Sequence, residues 1–250
     1  MKNFDLFLDL TRLKKPIGFM LLFWPCLWGL TLAFQFTNNN YMFLKHCILF
    51  FGGAVLMRSA GCIVNDILDR KIDAMVDRTK SRPIASGKIS VQKSIIYIFF
   101  LCLSAFIILI QFNQNTILLG LASMPFAFSY PLMKRFTYWP QFFLGLTFNY
   151  GLLMAWVSLT NEFNYYPLIL YFGAIFWTLG YDTIYGFQDI KDDEIIGVKS
   201  TSIKFKNNSK MFLKIVFFLF VLFYLTMGYL IKLNLAFFIF SIIPISHLFL

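Results

Sequence analysis

The segment FFGGAVLMRSAGCIVNDILDRKID, which runs from Phe50 to Asp73, decides how this sequence is interpreted. Its first part is mostly apolar, whereas its last nine residues carry the carboxylates of Asp66, Asp69 and Asp73. A long apolar run of this kind is typical of a helix that crosses a membrane. Because an unpaired carboxylate within such a helix is costly, intramembrane acids usually mark a functional site.

The composition of the whole chain also indicates a membrane protein. Of its 250 residues, 59% are hydrophobic and only 14% are charged, whereas soluble domains contain about 25% charged residues. The net charge is +10, but the basic residues lie in short patches between apolar runs, which argues against a nucleic-acid-binding surface. We therefore expect the lipid bilayer as partner and no nucleic acid, and the sequence indicates no protein partner.

Apolar segments of nearly spanning length occur along most of the chain. A transmembrane helix needs about 20 mostly apolar residues, and eight segments approach this length. They predict an all-α fold, a polytopic transmembrane helical bundle in which residues 1–250 form a single integral-membrane domain. The predicted spans are Ile17–Phe36, His46–Ile67, Ser94–Phe112, Thr116–Met133, Trp139–Leu159, Pro167–Tyr185, Met211–Ile231 and Leu235–Leu250.

The distribution of lysine and arginine predicts the orientation of the bundle. Cytoplasmic connections of membrane proteins are enriched in these residues. Nineteen of them lie at the N-terminus or in connections on the same side, whereas only Lys45 and Lys232 lie in connections on the opposite side. We therefore expect a multi-pass protein of the bacterial inner (plasma) membrane with a cytoplasmic N-terminus.

The acidic residues are concentrated in two segments. Nine of the twelve lie between Asp66 and Asp77 or between Asp182 and Glu194, at the ends of the second and sixth predicted spans. Ordinary polar loops would explain acids outside the membrane. They do not explain why both clusters begin inside helical segments, so we interpret the clusters as parts of a site.

The spacing within each cluster predicts a shared helical face. Asn65, Asp69 and Asp73 repeat every four residues, and so do Asp189 and Asp193, so each set forms one stripe on a helix. Two facing acidic stripes would repel each other unless cations lay between them. Carboxylate and amide oxygens suit Mg²⁺, which is often held by a few carboxylates together with substrate phosphates. These five residues are the candidate metal ligands.

Basic residues interleaved with the acids predict an anionic ligand. The interleaved basic residues are Arg70, Lys71, Arg78, Lys80, Arg82, Lys134, Arg135 and Lys199. Lys134, Arg78 and Lys199 are the candidates to take phosphate charge. Acids that hold metal and bases that hold phosphate, at the mouth of an apolar bundle, indicate a diphosphate with a long hydrophobic tail. The two histidines are far apart and the four cysteines lack paired spacing, so neither residue type predicts a metal site.

Four segments of the sequence resemble signatures of the UbiA family of membrane prenyltransferases. They occur in the family's order and extend from Arg12 to about Phe205. The segments are RLKKPIGFMLLFWPCLWG from Arg12, NDILDRKID from Asn65, YPLMK from Tyr130, and YDTIYGFQDIKDDEIIGVKSTSIKF from Tyr181.

The resemblance implies an all-helical bundle around a central cavity open to the cytoplasmic side, and an Mg²⁺-dependent prenyltransferase. The last segment is most similar to the 4-hydroxybenzoate polyprenyltransferase branch of the family. That branch implies a polyprenyl diphosphate donor and transfer to the ring carbon ortho to the hydroxyl of 4-hydroxybenzoate, in ubiquinone biosynthesis. A family member with another aromatic acceptor is the alternative, and an ion-coupled membrane transporter is a more distant one.

The family motifs and the residue chemistry together predict the roles of individual side chains. The metal ligands Asp69, Asp73, Asp189 and Asp193 are also expected to be catalytic, together with Lys134, which takes phosphate charge, and Tyr130, which orients the diphosphate or shields a carbocation. The further substrate-binding candidates are Arg78, Lys199, Asp66, Asp182, Arg12, Arg58 and Arg135.

The carboxylate of the acceptor requires a cationic partner. Arg12, Arg58 and Arg135 can each offer a planar fork to a carboxylate. Arg58 lies about two helical turns deeper than Asp66 on the same span. We rank Arg135 slightly ahead of the other two, because it adjoins Lys134 in the family motif.

The helix count differs from that of the family. Family members have nine transmembrane helices, whereas this sequence contains eight predicted segments, and the last of them has about 16 residues. We therefore expect a chain that is truncated at its C-terminus relative to the family.

Overall fold

The structure, a computed structural model, describes residues 2–249. Within that range the chain is built from α-helices and two short 3₁₀ segments, without a β-strand. The first half contains α1 (Lys2–Thr11), α2 (Ile17–Thr37), α3 (Asn40–Leu68), α4 (Arg70–Asp73), α5 (Val91–Leu109), α6 (Gln114–Ala122), α7 (Met124–Ser129) and α8 (Met133–Phe136). The second half contains α9 (Pro140–Phe148), α10 (Tyr150–Thr160), α11 (Tyr165–Gly186), α12 (Ile190–Ile196), α13 (Thr201–Lys204), α14 (Ser209–Leu230) and α15 (Leu235–Leu248).

Seven helical units within the described residues are long and apolar enough to cross a membrane. They correspond to the first seven predicted spans, with α6–α8, α9–α10 and α11–α12 each forming one unit. The eighth predicted span forms α15, which has only 14 residues and is therefore shorter than a crossing requires. The all-helical prediction is confirmed, and the protein is a multi-pass membrane protein.

Asparagine side chains begin the helices that follow the short connections. Asn39, Asn113, Asn164 and Asn234 each stand at the N-cap of a helix, where the side-chain oxygen accepts a backbone N–H of the first turn. The N–H groups of a first helical turn have no partner within the helix, and an asparagine cap satisfies one of them. These residues therefore set the points at which α3, α6, α11 and α15 begin.

The core of the bundle forms where α2, α10, α11 and α14 pack against one another. Trp156 of α10 is almost fully buried there. At Gly29 of α2, an added Cβ would overlap the backbone carbonyl of Leu152 and lie 3.0 Å from the Cβ of Ala155. Small residues allow helix backbones in membranes to approach this closely.

We expect Gly29→Ala to destabilise the α2–α10 contact, because the added methyl group has no space. Overpacking of a core costs about 1–3 kcal/mol. The matched control is Gly53→Ala in α3, where an added Cβ would have no atom within 4 Å. Thermal unfolding in detergent should show a lower midpoint for the first variant and an unchanged or higher midpoint for the second. Equal midpoints in the two variants would contradict the packing.

A buried asparagine fixes the bend between α9 and α10. Asn149 lies between the two helices and is almost fully buried. Its Nδ2 lies within hydrogen-bond distance of the carbonyl oxygens of Gly145 (2.8 Å) and Ala174 (3.1 Å) and of Thr178 Oγ1 (2.8 Å). Hydrogen bonding offsets the cost of burying a polar amide in an apolar bundle. The bend is thereby tied to α11, and Phe148 next to it faces the apolar cavity described below.

Both acidic segments lie where a long helix ends and a short one begins. The helix α3 ends at Leu68 and α4 begins at Arg70, yet the backbone N–H of Asp69 donates to the Asn65 carbonyl at 2.8 Å, and that of Asp73 donates to the Asp69 carbonyl at 2.8 Å. The four-residue repeat of hydrogen bonds therefore continues across the junction. The predicted stripe is kept although the helix is interrupted.

Candidate active site

The two acidic segments meet at one polar cavity of about 260 Å³. Side chains from the α3–α4 junction, the end of α7 through α8, and the α11–α12 junction line it. Most of the residues predicted from the sequence are among them: Asn65, Asp69, Asp73, Arg78, Tyr130, Lys134, Asp182, Asp189, Asp193 and Lys199. Residues that are up to 134 positions apart in the chain thus share one site.

Three of these acids are paired with basic side chains of the same chain. Lys134 Nζ donates to Asp69 Oδ2, and Arg78 Nη2 donates to Asp189 Oδ2 at 2.9 Å. Arg82 Nη1 contacts both carboxylate oxygens of Asp73, at 2.9 and 2.8 Å. The basic side chains therefore lie around the cavity. An anion that bound there through a metal ion held by these acids would have basic side chains on its other sides.

Asp66 and Arg12 lie outside the linings of both cavities. Arg12 Nη2 is 2.5 Å from Asp66 Oδ1, and Arg82 Nη1 is 3.3 Å from the same oxygen. Burial lowers the pKa of Arg12, but Asp66, Asp73 and other neighbouring groups together outweigh it, and the pKa is raised overall. Arg12, Asp66, Arg82 and Asp73 thus form a chain of ion pairs that joins the end of α1 to the site. The contacts support a positioning role for Asp66 and Arg12, in place of the substrate contact predicted from the sequence.

The donor set of the polar cavity fits Mg²⁺. All candidate ligands offer carboxylate or amide oxygen, and Asp69 Oδ1 is buried without a hydrogen-bond partner, although Arg135 Nη2 lies 3.5 Å away. No three acidic, histidine or cysteine side chains among the described residues form a complete metal site. Mg²⁺ commonly takes one or two carboxylates and completes its shell with water and substrate phosphates, so this arrangement suits an ion that binds together with a phosphate ligand.

A second, apolar cavity of about 480 Å³ adjoins the polar one. It follows α3 from Val64 to Leu49, a distance of roughly 22 Å at the rise of an α-helix. Phe50 and Phe112 line its far end, with ring centroids 4.7 Å apart. Tyr130 lines both cavities and therefore marks their junction.

Arg58 is the charged residue that lines the apolar cavity. Its guanidinium carbon lies 5.3 Å from the ring centroid of Phe148. Its Nε is buried without a hydrogen-bond partner, and no carboxylate of residues 2–249 forms a salt bridge with it. Arg58 is half-buried, and a cation at this depth without a salt-bridge partner among the described residues is suited to bind an anionic group that enters the cavity.

Arg135 occupies a different position. Its Nη2 donates to the Leu68 carbonyl at 2.7 Å, so it satisfies a backbone acceptor at the end of α3, where a cation is also favoured by the helix dipole. Arg135 lines neither cavity. The order predicted from the sequence, with Arg135 ahead of Arg58 as partner of an acceptor carboxylate, stays a prediction. Of the two, Arg58 is the one that lines a cavity.

The sequence model of the UbiA prenyltransferase family matches residues 22–250. This chain belongs to the UbiA prenyltransferase family. The 4-hydroxybenzoate polyprenyltransferase, mitochondrial, of Arabidopsis thaliana is 47% identical to it over 207 residues, which are 82% of this chain and 50% of that protein. The 4-hydroxybenzoate octaprenyltransferase of Psychromonas ingrahamii is 40% identical over 244 residues, 98% of this chain and 83% of the relative. The chain thus spans half the length of the first of these relatives.

The fold of this UbiA family member is also shared with solved structures. A UbiA homolog from Archaeoglobus fulgidus, bound to GPP and Mg²⁺, superposes with a TM-score of 0.74 at 18% sequence identity. The match covers 97% of this chain and 84% of the homolog. The helical membrane bundle predicted from the sequence is therefore confirmed by comparison as well.

Sequence analysis of this UbiA family member missed two residues that contact the site. Arg82 was recognised only as one of several basic residues, yet it pairs with Asp73. Gln141 lines the polar cavity and is only 6% exposed, although it lies 64 residues after Asp77 and 41 residues before Asp182. The signal that could have indicated Gln141 is a polar residue at the start of an apolar segment of membrane-spanning length.

Proposed function

We propose that this chain transfers a polyprenyl group from polyprenyl diphosphate to the ring carbon ortho to the hydroxyl of 4-hydroxybenzoate, in an Mg²⁺-dependent reaction of ubiquinone biosynthesis. The names of the two relatives support the acceptor and the polyprenyl donor. The GPP and Mg²⁺ in the Archaeoglobus homolog support a diphosphate substrate and the metal. The observation that carries the proposal is that the polar and apolar cavities meet at Tyr130 beside an unpaired Arg58.

The distribution of charge supports a location for the reaction. The polar cavity lies at the ends of the spans that precede the lysine- and arginine-rich connections, and such connections are retained in the cytoplasm. We place the polar cavity and the N-terminus on the cytoplasmic side of a bacterial inner membrane. A donor that is held in the bilayer by its prenyl tail would present its diphosphate at this depth.

The first part of the mechanism is the departure of diphosphate. Mg²⁺ would be held by Asn65, Asp69, Asp73, Asp189 and Asp193, and when bound it supplies Lewis-acid stabilisation of the leaving diphosphate. Lys134 and Arg78 already lie beside Asp69 and Asp189, where they can donate hydrogen bonds to phosphate oxygens. Preorganised cations lower the barrier because the charge that develops on the leaving group meets them without rearrangement.

In the second part, the electron-rich acceptor ring attacks the allylic carbocation, and the substituted ring carbon then loses its proton to the released diphosphate, which restores the aromatic ring. The apolar cavity would hold the prenyl chain and exclude water, which would otherwise capture the cation. The ring of Tyr130 lies at the junction of the cavities and can stabilise a nearby cation with its face. Arg58 would hold the acceptor carboxylate in a bidentate pair, which directs the phenol ring towards Tyr130.

The decisive test is a transfer assay with the chain in membranes. Radiolabelled 4-hydroxybenzoate, a polyprenyl diphosphate and Mg²⁺ should yield a lipid-soluble labelled product. The label should stay in the aqueous phase when Mg²⁺ is replaced by a chelator or when the donor is omitted. If another aromatic acid were prenylated and 4-hydroxybenzoate were not, the family activity would stand and the acceptor would be wrong. Absence of product with every aromatic acceptor would refute the proposed function.

A further inference from the structure

Gln141 is a buried polar residue of the polar cavity that carries no role in the proposed mechanism. It lies in the first turn of α9, directly after Pro140, and is 6% exposed. It lines the cavity together with Lys134, Asp182, Asp189 and Lys199. Buried side-chain amides nearly always have hydrogen-bond partners, so the partners of this amide indicate what it does.

The orientation of the Gln141 amide is set by its one protein partner. The backbone N–H of Thr201 donates to Gln141 Oε1 at 3.0 Å. A backbone N–H can only donate, so the oxygen of the amide must face it and Nε2 must face the other way. Within residues 2–249, Nε2 donates to no protein group. Gln141 lines the polar cavity, so its amide brings to the cavity wall a neutral hydrogen-bond donor that has no protein partner among the described residues.

The segment around Thr201 is held by several hydrogen bonds besides the one to Gln141. The hydroxyls of Thr183 and Thr201 lie 2.6 Å apart, and Ser202 Oγ donates to the Thr183 carbonyl at 2.8 Å. The N–H of Lys199 donates to the Lys134 carbonyl at 2.8 Å. These hydrogen bonds already hold the segment around Thr201. Support of that segment therefore does not explain why Gln141 has an unused hydrogen-bond donor at the cavity.

We infer that Gln141 is a further substrate-binding residue, whose Nε2 donates a hydrogen bond to an oxygen of the diphosphate group. The inference rests on the proposed function and extends it to a residue outside the family motifs identified in the sequence. The cavity contains carboxylates suited to metal and cations suited to phosphate, and an amide donor complements phosphate oxygens. As a neutral group, it binds the anion without competing for the acidic metal ligands.

Three variants separate donation to diphosphate from support of the Thr201 segment. Gln141→Glu keeps an oxygen that can accept from the Thr201 N–H but removes the donor. Gln141→Met has a similar size and removes both functions. Ser202→Ala removes another anchor of the same segment, and Ser202 does not line the cavity. The measurement is calorimetric binding of inorganic diphosphate to each purified, detergent-solubilised protein in the presence of Mg²⁺.

We expect Gln141→Glu and Gln141→Met each to weaken diphosphate binding about tenfold or more, the effect of losing a hydrogen bond to a charged group, and Ser202→Ala to bind like the wild type. A purely structural role of Gln141 would give a different pattern: Gln141→Glu would bind diphosphate like the wild type, and Gln141→Met and Ser202→Ala would both bind it weakly. That pattern would overturn the inference. Wild-type affinity in both Gln141 variants would overturn it equally. A wild-type chain that binds no diphosphate would instead refute the proposed function, and this inference with it.

Discussion

Asp69→Asn and Asp189→Asn should each reduce prenyl transfer about a hundredfold or more, the scale on which loss of a key electrostatic group lowers turnover. Each change removes a full negative charge from the polar cavity while keeping nearly the same shape. Asp69 has special weight, because its Oδ1 is buried and has no hydrogen-bond partner among the described residues, with Arg135 Nη2 3.5 Å away. The measurement is the initial rate of product formation across a series of Mg²⁺ concentrations.

Asp77→Asn provides the matched control. The Asp77 side chain is exposed and pairs with Lys80 at 2.5 Å, and this hydrogen bond lowers the pKa of Asp77. It does not line the polar cavity, so its variant should retain most of the activity. Thermal unfolding should show that all three variants are folded. Near-normal rates of the Asp69 and Asp189 variants at saturating Mg²⁺ would contradict the proposed metal ligands.

Arg58→Ala should raise the KM for 4-hydroxybenzoate about ten- to a hundredfold, because a hydrogen bond to a charged group contributes about 1.5–3 kcal/mol. The KM for the diphosphate donor should change little, since Arg58 lines the apolar cavity and not the polar one. Arg58→Lys should fall between the wild type and Arg58→Ala, because lysine keeps the charge but cannot form the bidentate pair. Steady-state kinetics with each substrate varied in turn separates the two effects.

Arg135→Ala is the control for this experiment. Arg135 caps the end of α3 through the Leu68 carbonyl, so its loss should lower thermal stability and leave the acceptor KM within about twofold of the wild type. Arg58→Ala should not destabilise the fold, because it removes a half-buried charge that lacks a salt-bridge partner among the described residues. An acceptor KM that rises for Arg135→Ala and not for Arg58→Ala would contradict the assignment and support the order suggested by the sequence.

The acidic stripes were predictable because they depend on local geometry. A four-residue repeat places side chains on one face of a helix wherever that helix lies. The prediction holds even though α3 ends at Leu68, because hydrogen bonds from Asp69 and Asp73 to residues four positions earlier continue the repeat. The lengths of the apolar segments likewise predicted seven of the spans, since the thickness of the bilayer imposes them.

The partner of each charged side chain was not predictable, because it depends on how distant segments pack. Adjacency to Lys134 suggested Arg135 as the partner of an acceptor carboxylate. In the fold, Arg135 donates to the Leu68 carbonyl and lies 3.5 Å from Asp69 Oδ1. Gln141 carries no motif in the sequence. Only the tertiary structure brings its side chain to the wall of the polar cavity and sets its amide against the Thr201 N–H.

The sequence by itself determined that this is an all-helical membrane protein of the UbiA family, with two acidic stripes at the ends of two spans. Those properties follow from hydrophobic length, helical periodicity and motif order, which are carried by neighbouring residues. The tertiary structure decided that both stripes face one polar cavity and that Tyr130 joins this cavity to an apolar one. It also decided that Arg58 lies there without a salt-bridge partner among residues 2–249. These properties arise from the packing of helices that are far apart in the chain, because a residue's burial and its ion-pair partners are set by the surfaces that meet around it.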